Sequence, residues 1–162
     1  MVVTCACGDH AFAATTRGLN VLVSPEDAAQ LDRKWTAYRD KNGYVTVTRT
    51  KTVAPNKRVR VVLAREIIEP KPGNQADHAN GDSLDNRRPN LREATPSQNA
   101  CNRVKPNPTG YKGVRPHGRR FVASIKTAGK RKHLGVFDTP EDASAAYRAA
   151  AHRFHGEFAR FE

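Results

Sequence analysis

Lys105-Pro106-Asn107-Pro108-Thr109-Gly110 packs two prolines and a glycine into one short stretch, and this constrains the fold more than any other feature. Proline offers no backbone donor and bars the α conformation to the residue before it, so neither a helix nor a strand is expected to cross the segment. Residues 105–109 read as a linker. The 162 residues therefore divide into two small modules, about 1–104 and 110–162. Each can bury only a modest core.

The charge follows the same division. Net charge is +12, but residues 1–76 carry 12 Lys/Arg against 7 Asp/Glu, residues 77–104 carry 4 against 4, and residues 105–162 carry 12 against 5. Two basic flanks around a neutral centre suit a protein that grips a polyanion at both ends and does something else between them. A basic surface kept for solubility fits less well, because no acidic residue occurs from Lys105 to Phe137. A membrane surface could attract the same charge. However, no apolar run is long enough to cross a bilayer and no apolar signal segment follows Met1, so the chain reads as soluble and intracellular. Cys5, Cys7 and Cys101 are an odd set without disulfide-framework spacing, which agrees with a reducing compartment. Cys5-x-Cys7 with His10 nearby looks like half a zinc site, but no second half follows.

Three helix starts share one chemistry. Ser24-Pro25-Glu26-Asp27, Thr95-Pro96-Ser97-Gln98 and Thr139-Pro140-Glu141-Asp142 each place a hydroxyl at the N-cap, proline at the first helical position and a carboxylate or amide three residues after the cap. They predict helices to about Lys34, from about Pro96 to Arg103, and from Pro140 to just before Gly156. The last carries Ala143, Ala146, Tyr147, Ala150, Ala151 and Phe154 at helical spacing. Strands are predicted at Tyr44–Thr48 and Val59–Leu63 around the turn-prone Pro55-Asn56. Three more, at Tyr111–Arg115, Arg120–Lys126 and Arg131–Phe137, should form an antiparallel sheet. The fold class expected is α+β.

The stretch Asp77-His78-Ala79-Asn80-Gly81-Asp82-Ser83-Leu84-Asp85-Asn86-Arg87-Arg88-Pro89-Asn90-Leu91-Arg92, followed by the helix bearing Asn99, carries the chemistry. It sets a carboxylate beside an imidazole in a loop too polar to be core. Histidine is the natural base near neutral pH, and phosphodiester hydrolysis needs such a base together with a cation. The hard oxygens of Asp77 and the Asn99 amide suit Mg²⁺ or Mn²⁺ better than zinc. Asn80, Asp82, Asp85 and Asn86 read as loop-shaping turn residues. Adjacent strand residues point to opposite faces, so Asp77 and His78 can serve one site only where a strand ends or bends.

Over Asp77 to Asn102 the pattern Asp-His-x-Asn-Gly-Asp, Asp-Asn-Arg-x-x-Asn-Leu-Arg and Gln-Asn resembles the phage and homing HNH endonucleases. The resemblance implies a ββα-metal fold, one divalent cation per site, and cleavage of double-stranded DNA to 5′-phosphate and 3′-hydroxyl ends, with nicking expected. In these terms His78 is the general base, Asp77 and Asn99 are the metal ligands, and Asn90 orients His78 through a hydrogen bond. Arg87, Arg88 and Arg103 would contact DNA, Arg103 as a phosphate clamp one turn beyond Asn99. Looser parallels lie upstream at Val23–Asp27, Lys34-Trp35 and Gly43-Tyr44. Relatives commonly carry a His-Arg pair where this chain has Ala64-Arg65. A phage-encoded monomer acting in the bacterial host cytoplasm, without a small-molecule cofactor, is the expectation that follows.

Residues 110–162 resemble the plant ethylene-response-factor (AP-two) type of DNA-binding domain. The parallels are Gly110-Tyr111-Lys112-Gly113-Val114-Arg115, Phe121–Lys126, Leu134–Thr139, Ala146-Tyr147 and Gly156-Glu157-Phe158-Ala159. That family lays a three-stranded sheet in the major groove with a helix behind it. By position, Lys112, Arg115, Arg120, Lys126, Arg131 and His133 form the DNA-facing set. Alternation sends Phe121, Ala123 and Ile125 toward the helix, and Arg120, Val122, Ser124 and Lys126 outward. The tryptophans that relatives place on the reading face have no counterpart here, since the one Trp is Trp35. Two other readings compete with a nuclease: a DNA-binding regulator whose nuclease half is vestigial, and an RNA-binding protein held by charge alone.

Overall fold

A computed structural model describes residues 2–41, 43–103 and 107–161. It is a mixed α+β protein of several small sheets and few helices, and it divides into two compact units, Met1–Ala94 and Thr95–Glu162.

In the first unit, β1 (Val3–Thr4), β2 (Ala11–Ala14) and β3 (Asn20–Val23) form an antiparallel meander. Strand β4 (Thr36–Arg39), β5 (Val45–Ala54) and β6 (Lys57–Val62) form a second one. The expected turn at Pro55-Asn56 joins β5 to β6, with Asn56 at φ 60°. Then come helix α1 (Leu63–Ile68), strand β7 (Gln75–His78), the short β8 (Asp85–Asn86) and β9 (Leu91–Ala94). Strand β8 adds to β3 in parallel, with Leu22 opposite Asp85 and Val23 opposite Asn86. Strands β7 and β9 pair antiparallel. Val21, Val23, Leu31, Trp35, Val47, Leu63, Ala64, Ile67 and Leu91 meet in one core, and Ala64 is only 2% exposed within it.

Two expectations need correcting here. The helix expected from Ser24 to about Lys34 is a 3-10 segment over Pro25–Asp32 that Ser24 does not cap. Its cap groups serve a distant partner instead. The Ser24 hydroxyl accepts the Arg88 backbone N–H at 2.8 Å, and the Asp27 carboxylate accepts two guanidinium bonds from Arg88, both at 2.8 Å. Leu63, expected to close a strand, opens helix α1.

The second unit begins with helix α2 (Pro96–Asn102), where Thr95 and Gln98 form the expected capping box. Strands β10 (Val114–His117), β11 (Arg120–Thr127) and β12 (Lys130–Phe137) make an antiparallel sheet backed by helix α3 (Pro140–His155). Thr139 caps α3 by accepting the Asp142 N–H, and Gly156 ends it. Of the expected linker, residues 105 and 106 lie outside the described residues. The rest is tied down: the Asn107 amide donates to the carbonyls of Tyr111 (2.7 Å) and Val114 (2.8 Å) and accepts the Thr109 N–H. The first strand therefore starts at Val114, three residues later than expected. Val122 shares the face of Arg115, as expected, but is only 3% exposed there.

Gly113 makes this lead-in possible. Its φ is +75°, and a Cβ there would lie 2.1 Å from the Tyr147 ring and 2.9 Å from the Ser124 carbonyl oxygen. Tyr147 is buried on α3 and cannot withdraw. Gly113→Ala is expected to cost about 2–4 kcal/mol from overpacking and backbone strain combined. A chemical-denaturation midpoint checks this.

Candidate functional site

The polar loop between β7 and β9 is built almost entirely from its own side chains. Ala79 N–H donates to the Asn90 carbonyl at 2.8 Å, closing the loop at its base. The Asn90 side chain accepts the Asn80 N–H at 2.9 Å and donates to the Asp85 carbonyl at 2.7 Å. Asn80 in turn accepts the Asp82 N–H and donates to Asp85, and Asp82 accepts the Leu84 N–H. Gly81, at φ 73°, donates its N–H to the His78 carbonyl. Asn80, Asp82 and Asp85 thus shape the loop as expected.

Asn90 differs from expectation. Both ends of its amide are engaged with Asn80 and Asp85, so it fixes the loop and does not bond the imidazole. The side chain that does so is Asn86, whose Oδ1 lies 3.1 Å from His78 Nε2. Asn86 is 1% exposed, sits in β8 against β3, and donates its Nδ2 to the Ser83 carbonyl. Its residue type and place in the loop suggest only a turn residue. Its pairing with Val23 is a long-range contact that leaves no local spacing signal.

His78 is the last residue of β7, and it is 8% exposed. The strand end that the sequence required is therefore present. The register places Asp77 opposite Arg92 and His78 opposite Leu91. Asp77, 3% exposed, accepts the Arg92 Nε–H at 2.8 Å. Burial lowers the His78 pKa below its ordinary 6.5, against the opposing influence of Asn86 and of the Asp77, Asp82 and Asp85 charges. The imidazole is therefore neutral at pH 7. An amide oxygen can only accept, so Nε2 carries the proton and Nδ1 carries the basic lone pair.

A pH dependence follows. The unfolded chain binds a proton at His78 below about pH 6.5, while the folded chain resists it, so stability falls as pH drops from there toward the folded value and then levels off. Urea unfolding across this range should show a steeper acid loss for wild type than for His78→Gln.

The remaining predicted residues divide between the units. Arg87 forms a two-bond pair with Asp85 (2.7 and 2.8 Å), which holds the Asp85 carboxyl below its usual range. Arg88 is held by Asp27. Both guanidinium groups keep an exposed edge, at 38% and 48%. Asn99 is half-buried on α2 and Arg103 is that helix's exposed C-cap, both in the second unit.

On the C-terminal sheet, register places Arg115 opposite Val122, Ser124 opposite His133, Lys126 opposite Arg131 and His117 opposite Arg120. Arg115, Arg120, Lys126, Arg131 and His133 therefore share one exposed face. Arg120 also pairs with Asp138 at 2.8 Å. Lys112 departs from the expected set. It precedes the sheet, its ammonium donates to the Cys101 carbonyl, and burial lowers its pKa. Among the described residues, no helix is long and apolar enough to cross a membrane.

Protein 3.8 of Escherichia phage T7 is 32% identical to this chain over 112 residues, covering 67% of this chain and 91% of Protein 3.8. No family model matches the chain, and no solved structure matches it.

Proposed function

This chain belongs to the family of phage T7 Protein 3.8, and from the geometry of the His78 site we propose that it is a metal-dependent DNA endonuclease of the HNH type. The observation that carries the proposal is the buried, neutral His78, tethered at Nε2 by Asn86 so that Nδ1 is its basic nitrogen. Strand β7, the polar loop, strand β9 and helix α2 follow one another along the chain in the order a ββα-metal motif requires.

In this reading Nδ1 takes a proton from the attacking water as its oxygen bonds to phosphorus. The bond to the 3′ oxygen breaks, and solvent protonates that oxygen to leave 3′-hydroxyl and 5′-phosphate ends. Asn86 keeps the ring in one orientation, and Asn90 keeps the loop closed beneath it. The donor chemistry of Asp77 fits Mg²⁺ or Mn²⁺, because its carboxylate offers hard oxygens. A bound divalent cation would supply charge stabilisation for the leaving oxygen. Asp77 comes to that role already paired with Arg92. The basic face of the C-terminal sheet would hold double-stranded DNA through its phosphates.

The test is conversion of supercoiled plasmid to nicked or linear form with Mg²⁺ or Mn²⁺ and with chelator. Metal-dependent cleavage supports the reading, and a nicked product favours single-strand cutting. The Asp77–Arg92 ion pair favours a second reading, a DNA-binding regulator with a vestigial nuclease half. Gel retardation of DNA without cleavage of varied plasmid sequences would select it.

A further inference from the structure

The turn between β1 and β2 gathers Cys5, Cys7 and His10, whose ligand atoms all lie within 4.8 Å of one another. The β-hairpin itself brings them together. The Cys5 N–H donates to the His10 carbonyl at 2.9 Å, and Gly8, at φ 76°, donates its N–H to the Cys5 carbonyl at 2.9 Å. The Cys7 N–H points at Cys5 Sγ, 3.4 Å away. Such a donor stabilises charge on the sulfur it faces. Cys7 Sγ stands 3.7 Å from His10 Nδ1. In a tetrahedral zinc site with ordinary Zn–S and Zn–N bonds, the sulfur–nitrogen edge is about 3.5–3.6 Å. The observed spacing thus needs little adjustment to receive an ion.

We propose that Cys5, Cys7 and His10 form a binding site for one zinc ion, the fourth vertex being left to water. Two soft thiolates and an imidazole select zinc over the hard cations that suit Asp77. The sequence offers Cys5-x-Cys7 and His10 as half a site because no second half follows; the hairpin brings these three donors to one point. Both thiols would lose their protons on binding.

The position gives the ion a structural task. Ala11, Val23 and Asn86 align across the sheet, so the turn lies at the same sheet end as Arg87. An ion there would brace the turn that joins β1 to β2. This inference does not depend on nuclease activity, and its test reads binding alone.

The reduced, metal-stripped full chain is titrated with Co²⁺, and zinc is then added. One equivalent of Co²⁺ should give thiolate charge-transfer and tetrahedral ligand-field absorption that zinc abolishes. Cys5→Ser and Cys7→Ser should lose the thiolate band, and His10→Ala should weaken binding by about tenfold or more. Cys101→Ser and His78→Ala should leave it unchanged. The proposal is overturned if no thiolate band forms, if the band depends on Cys101, or if His10→Ala binds as tightly as wild type.

Discussion

Replacing His78 with alanine is expected to lower plasmid cleavage by about 10²–10⁴-fold, the contribution of a well-placed general base. Retardation of the same DNA on a gel should be unchanged, because no phosphate-gripping residue is touched. The loss should appear in the rate under saturating metal, and added metal should not recover it. Folding has to be monitored alongside, since the imidazole is buried and Asn86 loses its bond in the variant. His78→Gln, which keeps bulk and polarity but no basic nitrogen, serves as the companion. Cleavage near the wild-type rate in both variants would remove His78 from the chemistry.

Arg92→Leu should cost about 3–5 kcal/mol, the usual result of taking one partner from a buried ion pair. Asp77 is 3% exposed and the Arg92 side chain 17%, so water compensates little for the missing cation. The double variant Asp77→Leu/Arg92→Leu should recover part of the loss, because a buried carboxylate that has lost its guanidinium, more than a lost attraction, is what destabilises the single one. Urea midpoints of the four proteins complete the cycle. The same series bears on function. If Asp77 takes part in holding Mg²⁺, the cation should restore more stability to Arg92→Leu than it adds to wild type, since the competing guanidinium is gone. Equal Mg²⁺ effects would count against Asp77 as a ligand.

Which parts of this were legible in the sequence follows the range of the interactions. Helices α2 and α3 could be read because their caps are local: Thr95 meets Gln98 and Thr139 meets Asp142, three residues apart. The C-terminal sheet could be read because each strand pairs with its chain neighbour and alternates in period two. Its first strand was placed early because the bond network of Asn107 and Thr109 has no signature at the level of patterns. The helix at Ser24 failed for the opposite reason. Its cap signals were sound locally, but Arg88, more than sixty positions away, claims both Ser24 and Asp27. Helix α1 is six residues long, too short for periodicity to distinguish it from the β-branched run before it. At the candidate site, His78 and Asp77 stood out by residue type and by the strand end. Asn86 did not, because what distinguishes it from its loop neighbours is β8 joining β3.

That parallel pairing also bears on when the site comes into being. Leu22 and Asp85 come together only after the intervening chain has been closed into a loop, and long closures carry an entropic penalty that delays them. The hairpins β2–β3 and β5–β6 need no such closure and are expected to form first. His78 is then synthesised into a chain whose imidazole remains hydrated and untethered until β8 docks on the waiting edge of β3. Immature chains would carry His78 without its orientation, so on the proposed reading competence to cut would arrive as one of the last events of folding.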